Sequence, residues 1–496
     1  MIDTKALREK ILDLAMRGKL VPQDPNDEPA SELLKRIKAE KEELIKQKKI
    51  KRDKNETEIF RGDDGLHYEK FTDGTVKEIE VPYELPVGWE WARIASATKN
   101  ITAGGDKPKE VSSEKTNDFQ IPIYSNGIKD NGLYGWAKEA KVFEPSVTVS
   151  ARGTIGFTAI RNHPFVPIVR LISVTPLEKT VDVSFLKYML SHLIPTGEGT
   201  SIPQLTVPGL KPFLIALPPY HEQLKIVQSI KSYLKLIDEI DNNQLELNNI
   251  TVQLKQKVLD VAMQGKLVPQ DPNDEPASVL LEKIRAEKLK LFEEGKLKKK
   301  DLVETEIVKG DDNAYYKKLP KGWSITNLQR LTTPITLNDG DWIVSKDMTV
   351  APEIKLIQLG SIGFGKYIDK GFKYITEETF NQLNCTEIHS GYLMVNRLIA
   401  EQMYVTTLPR IEGKKITTVD VCWIAPTKYF SLRFMMFQMM GQRFQKQAIQ
   451  LGTGSTRLRI SKGNLIKIPI VLPPIEEQER IVPQIEKYLQ LIDKSF

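Results

Sequence analysis

Residues 217–264 read LPPYHEQLKIVQSIKSYLKLIDEIDNNQLELNNITVQLKQKVLDVAMQ, and this stretch organises the rest of the chain. Pro218 and Pro219 force extended backbone, so a helix can begin only after them. From His221 to about Gln264 no proline or glycine interrupts the sequence. At 1.5 Å per residue this predicts a helix about 66 Å long, which is the length of a spacer rather than of a core helix.

Apolar residues recur along this predicted helix in steps of four and three, which is the spacing of a seam between paired helices. Gln244 and Thr251 interrupt the seam at its centre, where polar residues fix register and partner at some cost in stability. The seam positions are Ile226, Ile230, Tyr233, Ile237, Ile240, Leu247, Leu254, Val258 and Val261.

A second copy of this stretch is divided between the two ends of the chain. Residues 473–482 repeat 218–227. At the other end, Leu7, Ile11 and Leu14 stand where Leu254, Val258 and Val261 stand in the centre, and residues 18–31 are identical to 265–278. The sequence therefore predicts a cycle of spacer, module, spacer and module, whose second spacer is assembled from the two chain ends.

Length and composition are those of an ordinary protein without membrane spans. A chain of 496 residues with 40% hydrophobic content should form two or more domains. Cys385 and Cys422 have no paired spacing, so neither a disulfide framework nor a cysteine-rich metal site is expected. No signal peptide or long apolar run is visible, which favours a cytoplasmic location. The net charge of +6 permits a nucleic-acid partner without requiring one.

The connections that follow the two spacers have matching signals. Gly18 and Gly265 should end a helix, and the prolines after them predict an extended linker. Ser31 is expected to cap a helix that reaches about Lys49, and Ser278 caps its twin to about Phe292. The lysine-rich ends of these helices could touch phosphate, but we interpret them as solvated helix ends.

Each linker leads to a Leu-Pro-x-Gly-Trp motif, at residues 85–89 and 319–323, and the two halves diverge after it. The modules so bounded contain short β-like runs and then a helix, followed by a turn. Since spacers and entrances match while module interiors barely align, the modules should share a fold and bind different things. The predicted runs include strands 143–150, 168–173 and 417–425, helices 184–193 and 432–449, and turns 197–200 and 452–455.

Motifs for catalysis are missing from the sequence. Residues 360–367 lack the spacing and final hydroxyl of a phosphate-binding loop, so ATP hydrolysis is not expected. No Asn/Asp-Pro-Pro-aromatic run suggests amine methylation, and the five histidines show no metal-ligand spacing. The methionines between Met435 and Met440 are interpreted as core residues. We therefore expect a protein that is not an enzyme by itself and has no metal site.

The remaining candidate binding residues lie in polar and basic loops. Arginine, lysine and asparagine hydrogen-bond to base edges in a major groove, whereas serine, threonine and lysine suit phosphates. For each candidate the competing interpretation is a solvated loop residue. The predicted DNA-binding residues are Lys107, Lys109, Ser125, Asn126, Lys129, Arg152, Thr154, Asn338, Lys366, Arg397, Arg410, Arg457 and Arg459. Replacing Arg152 or Arg397 by alanine should weaken binding at one half-site each.

The order of these motifs, repeated twice, resembles the specificity subunit of type I restriction-modification systems over essentially the whole chain. The resemblance implies an α+β protein in which two α/β target-recognition domains are separated by a pair of long antiparallel helices, in a pseudo-twofold circular organisation. Each domain would read one half of an asymmetric, bipartite double-stranded DNA target with a fixed gap.

The resemblance also implies partners and domain boundaries. Two modification subunits would supply S-adenosylmethionine-dependent adenine methylation, and two restriction subunits, which are motor-nucleases, would use ATP and Mg, so this chain would bind no cofactor. The expected domains are 1–55 (N-terminal part of the split helical region), 86–214 (first target-recognition domain), 215–305 (central helical spacer), 320–469 (second target-recognition domain) and 470–496 (C-terminal helix).

Two other functions compete with this one. A bivalent scaffold could hold two protein ligands on a coiled-coil ruler, and its binding would lack the steep salt dependence of phosphate contacts. A self-contained nuclease or methyltransferase would need catalysis that the motifs do not show.

Overall fold

The chain folds into two units, Met1–Gln244 and Leu245–Phe496, each built around its own apolar core. The computed structural model describes residues 1–53, 56–194, 197–198, 204–305, 307, 319–454 and 457–495. The predicted turn residues Gly199, Thr200 and Ser455 lie outside the described residues. The mixture of helices and sheets predicted from the sequence is confirmed.

Helix α6 (Tyr220–Met263) is the predicted long helix, with ends displaced by one residue. Its first part belongs to unit 1 and its last part to unit 2. Before it, the described helices of unit 1 are α1 (Thr4–Met16), α2 (Ala30–Lys46), α3 (Ile94–Ala97), α4 (Val183–Leu193), α5 (Val207–Leu210) and a 3-10 segment at Lys129–Gly132.

A four-stranded sheet and a three-stranded sheet dominate the module of unit 1. The four-stranded sheet has the order β10-β8-β12-β5 and is antiparallel throughout, whereas β11 pairs in parallel with β6. The strands are β1 (Thr57–Arg61), β2 (His67–Phe71), β3 (Val76–Ile79), β4 (Glu90–Arg93), β5 (Asn100–Ala103), β6 (Ile121–Tyr124), β7 (Leu133–Ala137), β8 (Ser146–Val149), β9 (Thr154–Ile155), β10 (Thr158–Arg161), β11 (Val166–Pro167), β12 (Ile172–Thr175), β13 (Gly197–Glu198) and β14 (Leu214–Leu217).

Unit 2 begins within α6 and ends with a helix that follows a second Pro-Pro pair. Its described helices are α7 (Ala277–Glu293), α8 (Leu328–Leu331), α9 (Glu377–Gln382), α10 (Leu432–Met440), α11 (Gln442–Gln450), α12 (Lys462–Leu465), α13 (Ile475–Ser495) and 3-10 segments at Lys299–Leu302, Ser345–Asp347 and Leu359–Ser361. Its strands are β15 (Ser324–Thr326), β16 (Leu337–Asp339), β17 (Ile354–Ile357), β18 (Lys373–Ile375), β19 (Leu393–Asn396), β20 (Leu398–Ile399), β21 (Val405–Thr407), β22 (Lys415–Thr417), β23 (Val421–Ile424), β24 (Leu458–Arg459) and β25 (Ile470–Leu472).

The modules of the two units have the same strand topology. The four-stranded order β21-β19-β23-β16 in unit 2 corresponds to β10-β8-β12-β5 in unit 1. The mixed sheet β22-β17-β18 likewise corresponds to β11-β6-β7, with one parallel pair in each. A shared fold with diverged interiors was predicted from the sequence, and the strand order bears it out.

In each unit, a helix from one end of the chain contacts α6. In unit 1, Ile2 bonds to Gln244 and Arg8 pairs with Asp238 and Asp241, so α1 runs antiparallel to α6. In unit 2, Asp493 pairs with Lys255 near one end of α13, and Glu477 bonds to Gln270 near the other.

The predicted seam is correct only in part. Ile226, Ile230 and Ile237 are buried, but Leu247 and Leu254 remain 36% and 40% exposed. A strict seven-residue repeat drifts by about 20° per heptad on a straight helix. In unit 2 the fully buried residues of α6 are Leu259, Ala262 and Met263, while the predicted Val258 packs partly buried against the same core.

Several predicted boundaries are wrong for local reasons. Helix α2 is preceded by Pro29 in extended conformation, so Ser31 lies inside the helix and does not cap it. Gly441, with φ −65° and ψ 142°, divides the predicted helix 432–449 into α10 and α11. The predicted strands 168–173 and 417–425 each contain a turn, at residues 169–170 and 419–420. The methionines of α10 are buried, as predicted.

A cluster of a buried tryptophan, a buried glutamate and an exposed glutamine joins linker, module entrance and α6 in unit 1. Trp89 Nε1 donates to Glu222 Oε2 at 3.0 Å, and Gln23 Nε2 donates to Glu222 Oε1 at 3.1 Å. Gly18 has φ +63°, and a Cβ there would lie 2.4 Å from Pro86 Cγ. We call this arrangement the Trp–Glu–Gln cluster, and burial raises the pKa of its carboxyl group on Glu222.

Unit 2 repeats the Trp–Glu–Gln cluster with Trp323, Gln270 and Glu477, at distances of 2.8 and 3.0 Å. Gly265 meets Pro320 as Gly18 meets Pro86. The duplicated motifs thus meet one another at the point where each module leaves the helices.

A buried lysine docks the helix after each linker. Lys41 Nζ donates to Ala95 O and pairs with Glu56, whereas Lys288 Nζ donates to Gln329 O without an ion-pair partner among the described residues. Burial lowers the pKa of Lys288 to about 8.

We expect Lys288 to make stability rise with pH. Between about pH 8 and pH 10.5 the folded state binds fewer protons at Lys288 than the unfolded state does, so the free energy of unfolding should increase by up to about 3 kcal/mol. Chemical unfolding of the Lys288→Met variant at several pH values should lack this increase. The Lys41→Met variant should keep it, and an equal slope in the wild type and Lys288→Met would contradict the assignment.

Candidate nucleic-acid interface

Loop tips converge at one end of the four-stranded sheet in unit 1. Arg170 N donates to Gly104 O and Val169 N donates to Gly105 O, both at 2.9 Å. A Cβ on Gly104 would lie 2.5 Å from the carbonyl carbon of Pro167. Only glycine therefore lets the end of β5 cross so close to the turn that follows β11.

Asn126 ties three of these loops together. Its Nδ2 donates to Val169 O at 2.7 Å, and its Oδ1 accepts from Ala151 N at 2.8 Å. Gly127 N adds a longer bond of 3.4 Å to Ser150 Oγ. Because both ends of the Asn126 amide are used inside the protein, this predicted base reader is better placed to position its neighbours.

The outer surface of this cluster is basic and partly apolar. The predicted residues Lys129 and Arg152 are exposed, and Arg152 donates to Gln204 at 2.8 Å. Beside them the structure exposes Val169 and Arg170, which sequence reasoning missed. A guanidinium beside an apolar side chain could contact a base edge and a thymine methyl group.

Arg161 supports the loop that carries Lys129. Its guanidinium lies 3.5 Å from the centre of the Tyr124 ring, and its Nη2 donates to Asn131 O at 2.6 Å. Asp130 and Asn131 have φ values of 49° and 52°, the left-handed region that side chains seldom occupy. A buried cation–π contact and a hydrogen bond thus hold an unfavourable loop conformation in place.

In unit 2 the same end of the sheet carries a network of opposite charges. Arg459 pairs with Asp420 at 2.8 Å, and Lys462 Nζ donates to Asn338 Oδ1 at 2.6 Å. Arg397 Nε lies 3.0 Å from Asp339 Oδ1. Asn338, Arg397 and Arg459 were predicted from the sequence, whereas the residues that pair with them were missed.

Arg397 is buried rather than presented to solvent. It is 4% exposed, and its guanidinium donates to Ile460 O at 3.1 Å and to Val419 O at 2.6 Å. Burial raises the pKa of Asp339 in spite of this neighbour. The contacts favour a role for Arg397 in positioning the turn at Val419 over direct contact with DNA.

The remaining predicted residues are distributed around the modules. Arg410 follows β21 at the opposite end of the sheet from Asn396 and pairs with Glu412. Lys366 lies in an exposed loop whose Gly365 bonds to Val405, and Arg457 is exposed before β24. Lys107 and Lys109 are exposed in the loop after Gly105, while Ser125 and Thr154 are half-buried near Asn126 and Arg152.

The described residues contain neither a metal-ligand cluster nor a membrane-spanning helix. No group of three or more histidine, cysteine, aspartate or glutamate side chains is arranged to hold a metal ion in that part of the chain. Among the helices that the structure describes, none is both long enough and apolar enough to cross a membrane.

Comparison with known proteins gives consistent matches. The family model for the type I restriction modification DNA specificity domain matches residues 86–249 and 320–494. The type I restriction enzyme EcoEI specificity subunit of Escherichia coli is 28% identical over 581 aligned positions, which cover 99% of this chain and 90% of that protein. The EcoAI specificity subunit of Escherichia coli is 33% identical over 384 positions, 64% of this chain and 61% of that protein.

A solved structure shows the same fold. A chain from work on complex assembly and conformational transition of the type I R-M system superposes with a TM-score of 0.54. The sequences are 15% identical, and the match covers 83% of this chain and 93% of that one.

Proposed function

The chain belongs to the type I restriction-modification DNA specificity family, and we propose that it reads an asymmetric, bipartite DNA target and recruits methyltransferase and motor-nuclease subunits to it. Each module would bind one half of the target. The proposed direct contacts are made by the exposed Lys129 and Arg152 and by the half-buried Arg459.

One observation supports this proposal above the others. The modules have the same strand order, but the same end of the four-stranded sheet carries Arg152 and Arg170 in unit 1 and Asp420 and Arg459 in unit 2. Base edges are distinguished by their hydrogen-bond patterns. Two modules that read different half-sites would therefore need different donors and acceptors on the same scaffold.

The helices would set the distance between half-sites. A continuous 44-residue helix, α6, links the modules, and α1 and α13 pack along its two parts. We propose that this helix fixes the unspecified gap in the target. We also propose that the chain ends together form the second spacer, as the sequence repeats suggest.

Duplicated surface suggests duplicated partners. Residues 18–31 and 265–278 are identical, although several of their side chains, including Lys19, Asp24 and Asn26, are exposed and not required by the core. We propose that each copy helps to bind one of two modification subunits, and that two restriction subunits join the complex. S-adenosylmethionine, ATP and Mg would act in those partners, and this chain would catalyse nothing alone.

Mapping methylated adenines in the host genome tests the proposal directly. The proposal requires an asymmetric motif of two specified parts with a constant gap, which disappears when the gene for this chain is disrupted. A genome whose adenine methylation is unchanged by the disruption would contradict it. If the chain were a protein scaffold instead, its binding to purified DNA would also lack a steep dependence on salt.

Replacing Arg152 and Arg397 in turn should distinguish a side chain that contacts DNA from one that supports the fold. Arg152→Ala removes an exposed side chain, so we expect about tenfold weaker binding at one half-site and unchanged thermal unfolding. Arg397→Ala removes a buried guanidinium that pairs with the half-buried Asp339 and donates to two backbone carbonyls, so it should lower the stability of unit 2 by about 3 kcal/mol and weaken the other half-site. Binding to duplexes altered in one half at a time, together with calorimetry, measures both. Equal melting temperatures for the two variants would refute the distinction.

A further inference from the structure

One short turn occupies the same place in both modules. In unit 1, Ile168 follows β11 and bridges in parallel to Gly105, and the turn Val169–Arg170 comes next. In unit 2, Thr418 follows β22 and bridges in parallel to Asp341, and the turn Val419–Asp420 comes next. Both turns then lead into an inner strand of the four-stranded sheet, β12 or β23.

Glycine lets each turn approach the neighbouring strand. A Cβ on Gly104 would lie 2.6 Å from Ile168 N, and a Cβ on Gly340 would lie 2.4 Å from Thr418 O. The backbone of each turn packs directly against its glycine. A larger residue in place of Gly104 or Gly340 would displace the turn.

In each turn, a side chain from another part of the module holds the valine carbonyl. Asn126 Nδ2 donates to Val169 O at 2.7 Å, and Arg397 Nη2 donates to Val419 O at 2.6 Å. The donors differ in type and come from different strands and loops, yet they fix the same backbone atom. Both turns are therefore rigidly positioned at the edge of their modules.

The turn in unit 1 is also strained and exposed. Val169 and Arg170 have φ values of 52° and 61°, and a β-branched residue in this region is a true outlier. Val169 is nevertheless 50% exposed, so core packing does not account for it. Backbone strain of this kind persists where surrounding structure enforces it, and it concentrates at sites that bind ligands.

The charge at the second turn position is reversed between modules. Arg170 is exposed and has no ion-pair partner within the described part of the chain, whereas Asp420 pairs with Arg459 at 2.8 Å. A guanidinium donates to O6 and N7 of guanine, and a carboxylate accepts from N4 of cytosine. The same scaffold position thus offers donors in one module and an acceptor in the other.

We propose that this turn is the specificity-determining tip of each module, with Arg170 donating to base edges in one half-site and Asp420 accepting from them in the other. The inference rests on the proposed function as a DNA specificity subunit. Asn126 and Arg397 act as positioning residues, because they hold the carbonyl of the preceding valine. Val169 supplies an apolar contact beside Arg170.

Selection from a pool of random double-stranded oligonucleotides tests the proposal. The full-length chain is purified from its host with the subunits that copurify, as wild type, Arg170→Ala and Asp420→Ala. We expect each variant to lose base preference roughly tenfold at positions of one half-site, and the two variants to affect different halves. Lys179→Ala is the matched control, since Lys179 is exposed, has φ 57° and lies beyond the opposite end of β12.

The results of the selection distinguish a failure of the proposed base-reading turn from a failure of the proposed function. If the wild type enriches a bipartite sequence and Arg170→Ala enriches the same bases with equal strength, or if both variants change the same half-site, the turn is not the reader. A wild type that enriches no sequence would overturn the proposed function together with the inference. Lower affinity with unchanged base preference in Arg170→Ala would identify a phosphate contact and likewise refute base reading.

Discussion

Inserting four residues into α6 after Asn248 should lengthen the gap in the DNA target by one base pair. Four residues add about 6 Å and advance the helix by about 40° beyond one full turn. One base pair adds about 3.4 Å and, at 10 to 10.5 base pairs per turn, about 35°. The rotation of the second module would then be matched by that of the second half-site.

Binding to duplexes that differ only in gap length measures this effect. The variant should bind the original target at least a hundredfold less tightly and prefer the target with one added pair. The insertion lies where α6 is exposed, between the segments covered by α1 and α13, so both units keep their contacts. An unchanged preferred gap would show that α6 does not set the spacing.

A seven-residue insertion at the same point is the matched control. It adds about 10 Å but turns the helix by about 20° in the opposite sense. Three base pairs would match this length while rotating the second half-site by about 100°. We therefore expect weak binding at every gap length, which a simple flexible tether would not show.

Replacing Glu222 by alanine should lower the free energy of unfolding of unit 1 by about 4 kcal/mol. The change leaves the buried Trp89 Nε1 without its acceptor and opens a cavity between linker, module entrance and α6. Gln23 Nε2 loses one acceptor but keeps Gly18 O and Val21 O. Leaving a buried donor unpaired costs its desolvation as well as the lost contact.

Chemical unfolding followed by hydrogen exchange would locate this loss. In Glu222→Ala, backbone amide exchange should accelerate in unit 1 and remain slow in unit 2. In Glu477→Ala, exchange should accelerate in unit 2 and remain slow in unit 1. Glu239→Ala, on the exposed face of the same helix, is the control and should change stability by less than about 0.5 kcal/mol. Similar losses from Glu222→Ala and Glu239→Ala would mean that the Trp–Glu–Gln cluster contributes little.

Much of the architecture follows from repeats and helix signals in the sequence. The matching motifs around Trp89 and Trp323 and the Glu-Gln pairs after the prolines identified two equivalent units. What they could not reveal is that these motifs bond to each other, since that contact joins residues 133 positions apart. Gln223, the partner of Glu222 in the motif, bonds to Asp182 N ahead of α4, which also required the fold.

The candidate interface was less accessible to sequence reasoning, and the reason is specific. Val169 and Val419 are β-branched residues inside apolar runs, so residues 168–173 and 417–425 were predicted as uninterrupted strands. The structure forms turns there because Gly104, Gly340 and two distant side chains hold the backbone. The sequence predicts Arg397 as a DNA-binding loop residue, because burial of an arginine through backbone carbonyls leaves no local pattern.

The first and last strands of each module pair with one another, Glu90 opposite Leu217 in unit 1 and Ser324 opposite Leu472 in unit 2. The chain segment between these two strands forms the rest of the module, so a two-stranded stem connects the module to the helices. Such an interior behaves as a cassette: recombination within the matching coding sequence on either side could replace it whole, and a lineage could acquire a new DNA preference in one event without rebuilding the helices.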